Sequence, residues 1–197
     1  MIQVMELFDL LSIILLCLFF ILVFTRIMML KRRGINVFVF GKTHKSDFLF
    51  IPFMLLLVYI AFASSSLLPF PEILIKPLIE KGFLAWIGIL FSMAGLAGFA
   101  FSLKAFGDSF RVGIDDEKPD TLITHGMFSI SRNPIYLSFI FFLFGFILVH
   151  MNIASSVMLF CFFIPLIHRQ IKREEEFMKG HYGEQYAEYC KKVRRYL

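Results

Sequence analysis

The stretch Thr121-Leu122-Ile123-Thr124-His125-Gly126-Met127-Phe128-Ser129-Ile130-Ser131-Arg132-Asn133-Pro134-Ile135-Tyr136 ends where a long apolar run begins. It sets polar and charged groups at the mouth of a membrane helix, where ionisable residues usually carry function. Asn133 followed by Pro134 reads as an N-cap with proline in the first turn, because the ring presets φ and that turn's N–H lacks an intrahelical partner anyway. Arg132 then sits beside a helix N-terminus. Free N–H groups, the positive end of the helix dipole and a guanidinium fork together suit a carboxylate or phosphate. A plain interface anchor of Asn, Arg and Tyr is the competing reading of the same residues. Leu122 and Ile123 suit an extended stretch leading to Gly126, whose missing side chain lets another group approach the backbone.

Around this stretch the chain is strongly apolar. A hydrophobic share of 58% with 27 Phe and a mean hydropathy of +0.77 lie well above the roughly 45–50% apolar residues of soluble domains. This composition makes an integral membrane protein. The net charge of +5 is gathered in polar segments between apolar runs, which fits the positive-inside rule better than nucleic-acid binding. Cys17 and Cys161 lie inside apolar runs and Cys190 in a polar tail, so the cysteines suggest neither a disulfide pair nor metal-type spacing. Asp115, Asp116 and Glu117 are three consecutive acids, but no further ligands are spaced to complete an oxygen shell. They read as a solvated loop with no metal.

Leu7 to Leu30 is long enough to cross a bilayer, which takes about 20 apolar residues. Glu6 and Asp9 precede it, where a secretory signal would carry positive charge, so it reads as a retained span. The basic loop after it, with Arg26, Lys31, Arg32, Arg33, Lys42 and Lys45, is expected in the cytoplasm, with the N-terminus outside. Phe48 to Leu68 is the second span. The charge-balanced connector Pro69 to Gly82 is expected outside, with a short interfacial helix around Ile73 to Ile79. Phe83 to Phe106 is the third span, and its Gly88, Gly95 and Gly98 fall near one face. They suit either close packing of a neighbouring helix or room for a lipid tail. Pro134 to Val149 and Ile153 to Ile167 form a hairpin of two more spans, with a kink expected at Pro165.

The fold expected is therefore an all-α integral membrane protein of about five transmembrane helices, with a cytoplasmic helical segment after the last. Residues 1–106 supply three spans; residues 107–197 form the functional half. In the tail, Gly183 should break the helix, and Tyr182, Tyr186, Tyr189 and Val193 recur along one face that should pack back onto the domain or lie in the lipid interface. Glu174, Glu175 and Glu176 directly follow the last span, so one or two of them can turn into a pocket while Glu176 stays solvated.

Two blocks carry a resemblance. Leu122-Ile123-Thr124 with Gly126 and Phe128, running into Ser131-Arg132-Asn133-Pro134-x-Tyr136, is followed by Glu174-Glu175 and Tyr182-Gly183-x-x-Tyr186-x-x-Tyr189. Together, in this order around a helical hairpin, they resemble the isoprenylcysteine carboxyl methyltransferase and phospholipid methyltransferase family. The likeness is specific for the second half of the chain and rests on hydropathy alone in the first hundred residues. It implies a transferase that uses S-adenosylmethionine, releases S-adenosylhomocysteine, and holds the cofactor on the cytoplasmic side while a lipophilic acceptor enters from the bilayer. Asn133 stands where many members have His, and Phe128 where Tyr is usual. Asparagine caps a helix and donates hydrogen bonds but does not titrate near neutrality in place of a histidine base.

On that reading Arg132, Asn133 and Tyr136 serve the reaction. Arg132 and the Pro134 helix end hold the methionyl carboxylate, or else orient an acidic acceptor; Glu174 or Glu175 meets the ammonium or the ribose hydroxyls. Tyr136 and Phe128 offer ring faces to the sulfonium or adenine. Backbone from Leu122 and Ile123 to Gly126 lines the adenine. The partners implied are membrane lipids and a lipophilic acceptor (a prenylcysteine-like carboxylate, a phospholipid amine or a hydrophobic thiol), with no nucleic acid and no metal. Two rivals stand beside it. One is a noncatalytic transporter subunit or assembly factor, which lacks the mid-span ionisable residues a coupled carrier needs. The other is a nicotinamide-dependent membrane reductase, for which no G-x-G-x-x-G follows a strand.

Overall fold

The structure is a computed structural model that describes residues 7–35, 50–109 and 121–197. The basic loop at Lys42 and Lys45 and the acidic run Asp115 to Glu117 lie outside the described residues. Among those described, every regular element is helical. Helix α1 spans Leu7–Arg32, α2 Phe50–Ser64, α3 Glu72–Ile75, α4 Phe83–Phe106, α5 Pro134–His150, α6 Ile153–Val157 and α7 Ile164–Lys192. By length and composition, Leu7–Arg32, Phe83–Ser109 and Ile153–Lys192 can each cross a membrane, while Ile51–Ser64 and Pro134–His150 are apolar but shorter. Ile21, Phe24, Leu55, Phe83, Leu90 and Phe101 are exposed on the outside of the bundle, an apolar surface suited to contact with lipid.

Two elements are shorter than their apolar runs. Helix α2 stops at Ser64 although apolar residues continue to Leu68. Ser65 and Ser66 turn the chain back with N–H bonds to the carbonyls of Phe62 and Ala63 at 3.3 and 3.0 Å, and Ser66 sits at φ 60°. Serine hydroxyls compete with the helical ladder in this way; Ser65 Oγ donates to the Ala61 carbonyl at 3.2 Å. The interfacial helix expected around Ile73 to Ile79 is the four-residue α3. Pro77 explains the early stop, because the residue before a proline is driven out of the helical region, and Lys76 is extended at ψ 130°.

Helix α4 has the bounds read from the sequence, and its glycines decide its partner. A Cβ on Gly88 would lie 2.6 Å from the Gly145 carbonyl oxygen, and one on Gly95 would lie 2.4 Å from the Phe142 backbone nitrogen. Helices α4 and α5 therefore meet backbone to backbone, as small residues permit. Ser92 Oγ donates to the Phe142 carbonyl across the same contact at 3.2 Å. Helix α5 fills the space that the alternative reading gave to a lipid tail.

The chain reverses at Met151, at φ 44°, and Asn152 caps α6 by accepting from the Ser155 N–H at 2.9 Å. The hairpin is present but wider than the glycine contact: Phe139 of α5 meets Phe163, just before α7, at 5.9 Å between ring centres. In place of a sharp kink at Pro165, a wide π-helical stretch over Met158–Phe163 precedes it, and Phe163 and Ile164 keep helical angles. Proline cannot donate to the preceding turn, and the wider turn is one way to accommodate that. The break at Gly183 is present, at φ 49° and ψ −121°. Beyond it Tyr186, Tyr189 and Val193 are buried together, with Leu122, Met178, Tyr182 and Cys190 packed around them. The tail's aromatic face thus packs back onto the fold.

At the far end of α5 lies a second polar group. Lys81 Nζ contacts both carboxylate oxygens of buried Asp9 at 2.7 and 2.8 Å. His150 Nδ1 approaches Asp9 at 3.5 Å, and Ser12 Oγ lies 3.0 Å from His150 Nε2. These bonds tie the start of α1 to the segment before α4 and to the last turn of α5.

Candidate functional site

Pro134 opens α5 as expected, and Asn133 occupies the N-cap position, but the Asn133 side chain makes no capping hydrogen bond. Its amide turns instead toward the end of the chain. Nδ2 donates to the Arg195 carbonyl at 3.2 Å and to Glu175 Oε1 at 3.5 Å. This corrects the sequence reading of a capping side chain: the amide is turned to donate to a charged carboxylate and to the Arg195 carbonyl, and a bond to a charged acceptor outweighs one cap bond.

Glu175 is the centre of the group. It is 4% exposed, and a buried carboxylate needs counter-charge. Arg195 supplies a fork, with Nε at 3.1 and 3.0 Å from the two oxygens and Nη2 at 2.7 Å from Oε2. Arg132 Nη2 lies 3.2 Å from Oε1, and Arg132 also donates to Cys190 Sγ. Burial pushes the Glu175 carboxyl up, but hydrogen bonds from Arg195 and Asn133 and the charges of both arginines outweigh it and hold the group below its usual range. The same bonds push the Arg195 guanidinium up.

The neighbouring Glu174 serves a different set of partners. Its Oε1 accepts from the Tyr136 hydroxyl and from Gln170 Nε2 at 3.0 Å. Glu176 is exposed. Adjacent positions on a helix point about 100° apart, which is why three successive glutamates take three roles: one toward Tyr136, one into the arginines, one to solvent.

The first block forms the wall beside this group. Residues 121–124 are irregular, Ile123 is half-buried, and Leu122 packs against the buried tyrosines. Gly126 has φ 61°, and a Cβ there would lie 2.9 Å from Ala105 Cβ, so the close approach expected of this glycine is to α4. Phe128 is buried with its ring on Phe106 at 5.2 Å, and its carbonyl accepts from the Tyr189 hydroxyl at 2.6 Å. Burial pushes the Tyr189 phenol up to about 12 and raises Tyr186 as well. Both therefore stay neutral, and the Tyr189 hydroxyl serves as a donor.

The structure thus gathers Arg132, Asn133 and Glu175 into one contact group, sets Tyr136 with Glu174 beside it, and keeps Phe128 and Gly126 in the adjoining wall. Sequence reasoning missed Arg195. The segment after α7 is fastened across the Ser131 to Asn133 turn: the Arg132 N–H donates to the Arg194 carbonyl at 3.0 Å, and Ser131 Oγ donates to the Arg195 carbonyl at 3.2 Å. Nothing local in a run of Lys191, Lys192, Arg194 and Arg195 says which cation turns inward.

The sequence was compared with known proteins. The sequence model of the family described as phospholipid methyltransferase matches residues 82–185, which holds α4, α5 and both glutamates. Proteins of Oryza sativa subsp. indica and subsp. japonica, each named "Probable protein-S-isoprenylcysteine O-methyltransferase", are 29% identical to it over 126 residues. That alignment covers 63% of this chain and 63% of each relative.

Proposed function

This chain belongs to the phospholipid methyltransferase family, and from that premise we propose that it moves a methyl group from S-adenosylmethionine to a lipophilic acceptor at the cytoplasmic membrane face. The observation that carries the proposal is the Arg132–Glu175 pair at the start of α5: opposite charges 3.2 Å apart, complementary to the carboxylate and ammonium of a methionyl group. The residues fit that group. Arg132 Nε is buried without a hydrogen-bond partner, so its fork has a donor to offer.

When bound, S-adenosylmethionine supplies an electrophilic methyl on a sulfonium, whose in-line displacement needs little acid or base help. This chain's task is then positioning and charge in a water-poor site. Arg132 would offer its free Nε–H to the carboxylate, Glu175 would face the ammonium, and Tyr136 with Glu174 would present a ring and oxygens to the ribose and sulfonium side. Backbone from Leu122 to Gly126, backed by Phe128, would line the base. Asn133 holds Glu175 in place. No histidine base is required.

Topology follows the same logic. Five spans with α1 entering from outside bring its basic end beside the site: Arg26 donates to the Gly107 carbonyl, and Arg33 pairs with Asp108 at 2.5 Å, just past the end of α4. Residues 107–197 are the functional half and 1–106 its membrane scaffold. Among acceptors, the names of the rice relatives favour a prenylcysteine-like carboxylate over a phospholipid amine or a hydrophobic thiol. The test is incubation of the purified protein with methyl-labelled S-adenosylmethionine and each acceptor class. Label in the lipid phase with the prenylcysteine carboxylate is expected. Melting-point stabilisation by NADPH, with none by S-adenosylhomocysteine, would favour a reductase and defeat the proposal.

A further inference from the structure

A carboxylate offers about four acceptor positions, and those of Glu175 are taken by Arg195 Nε and Nη2, Arg132 and Asn133. While Arg195 stays, no position is left for a ligand's ammonium. The segment bearing Arg195 is fastened over the site by the Arg194 and Arg195 carbonyls and by Tyr196, whose hydroxyl lies 2.6 Å from His168 Nδ1. Beneath it Ser131 is 1% exposed and Asn133 7%. The helix has already ended at Lys192, and Val193 is extended, so the segment can lift without unwinding α7. The Arg195 side chain is 35% exposed, which gives its charge water to turn into.

We propose that Arg195 is a built-in competitor for the methyl donor's ammonium, held on Glu175 until the donor displaces it and the segment from Arg194 to Leu197 lifts. This rests on the function proposed above. An internal competitor lowers apparent affinity by the fraction of molecules in the open state; with about one molecule in ten open, removing the competitor strengthens binding about tenfold. A residue that merely shapes the site would weaken binding when lost, so the sign separates the two roles.

The experiment is calorimetric titration of S-adenosylhomocysteine and of 5′-methylthioadenosine, which has no ammonium, into the full chain and its Arg195→Ala and Arg195→Gln variants, each with a melting curve. Arg195→Ala should bind S-adenosylhomocysteine about tenfold more tightly while melting at a lower temperature when empty. Arg195→Gln, kept as the variant more certain to fold, should shift the same way by less. 5′-Methylthioadenosine should bind all three alike. Equal or weaker binding of S-adenosylhomocysteine by both variants, with the parent binding normally, overturns the competitor and leaves the methyltransferase reading intact. Failure of parent and variants alike to bind it overturns both.

Discussion

Two buried carboxylates sit at opposite ends of α5, about 25 Å apart along a 17-residue helix. They are solved differently. Asp9 meets the Lys81 ammonium through both oxygens, charge against charge. Glu175 meets two guanidiniums, leaving that triad one positive charge in excess beside a helix N-terminus. The Asp9–Lys81 pair matches one charge with one and works as a rivet between α1, α5 and the segment before α4. An unbalanced one keeps an appetite for an anion, and buried charge of that kind concentrates at functional sites.

The largest effect that would sharpen this contrast is at the rivet. Asp9→Ala removes the carboxylate that the half-buried Lys81 ammonium meets through both oxygens, so we expect a loss of about 3 kcal/mol, read as a lower melting temperature in detergent, with cofactor affinity of the folded fraction unchanged. Glu175→Gln should cost less stability, about 1–3 kcal/mol, because Arg195 can turn to solvent, but it should weaken S-adenosylhomocysteine binding. The contrast breaks if Asp9→Ala spares stability and weakens binding instead.

Acid should reach the same carboxylate. The folded state holds Glu175 below its ordinary value of 4.5, so its contribution is complete above that value and is lost as pH falls through the lower folded value. A melting series from neutrality to about pH 3 should show a steeper acid loss in the parent than in Glu175→Gln; parallel curves would remove Glu175 from the account. Asn133→Ala should cost about 1 kcal/mol by the same melting assay, through the bonds to Glu175 and Arg195 and not through a cap. Glu176→Gln, on the solvated side, should stay within about 0.5 kcal/mol.

Much of this was legible in the residues. The bounds of α4, the face formed by Gly88 and Gly95, the break at Gly183 and the inward tyrosines all follow from local rules of spacing and backbone freedom. So did the separation of Glu175 from Glu176. What was not legible depends on distance in sequence. Arg195 meets a carboxylate 20 residues back and a turn more than 60 residues back, and no local pattern distinguishes it from the cations around it. Asn133 stands where a cap should, yet a charged partner brought in by α7 takes its side chain. Asp9, Lys81 and His150 are far apart in sequence, and only the assembled bundle makes them neighbours. The end of α2 was set at Ser65 and Ser66, which hydropathy counts as weakly polar although the Ser65 hydroxyl competes for the helix backbone.

The central claim is that the Arg132 end of α5, and not the Asp9 end, receives the methyl donor. Calorimetric titration of S-adenosylhomocysteine into Arg132→Ala, Arg132→Lys and Asp9→Asn tests it most directly, each variant shown to be folded by its melting curve. Loss of the fork should remove roughly 1.5–3 kcal/mol, about tenfold or more in affinity. Lysine should restore only part of it, since an ammonium lacks the planar fork, and Asp9→Asn should bind like the parent. Folded Arg132→Ala that binds as tightly as the parent would contradict the account.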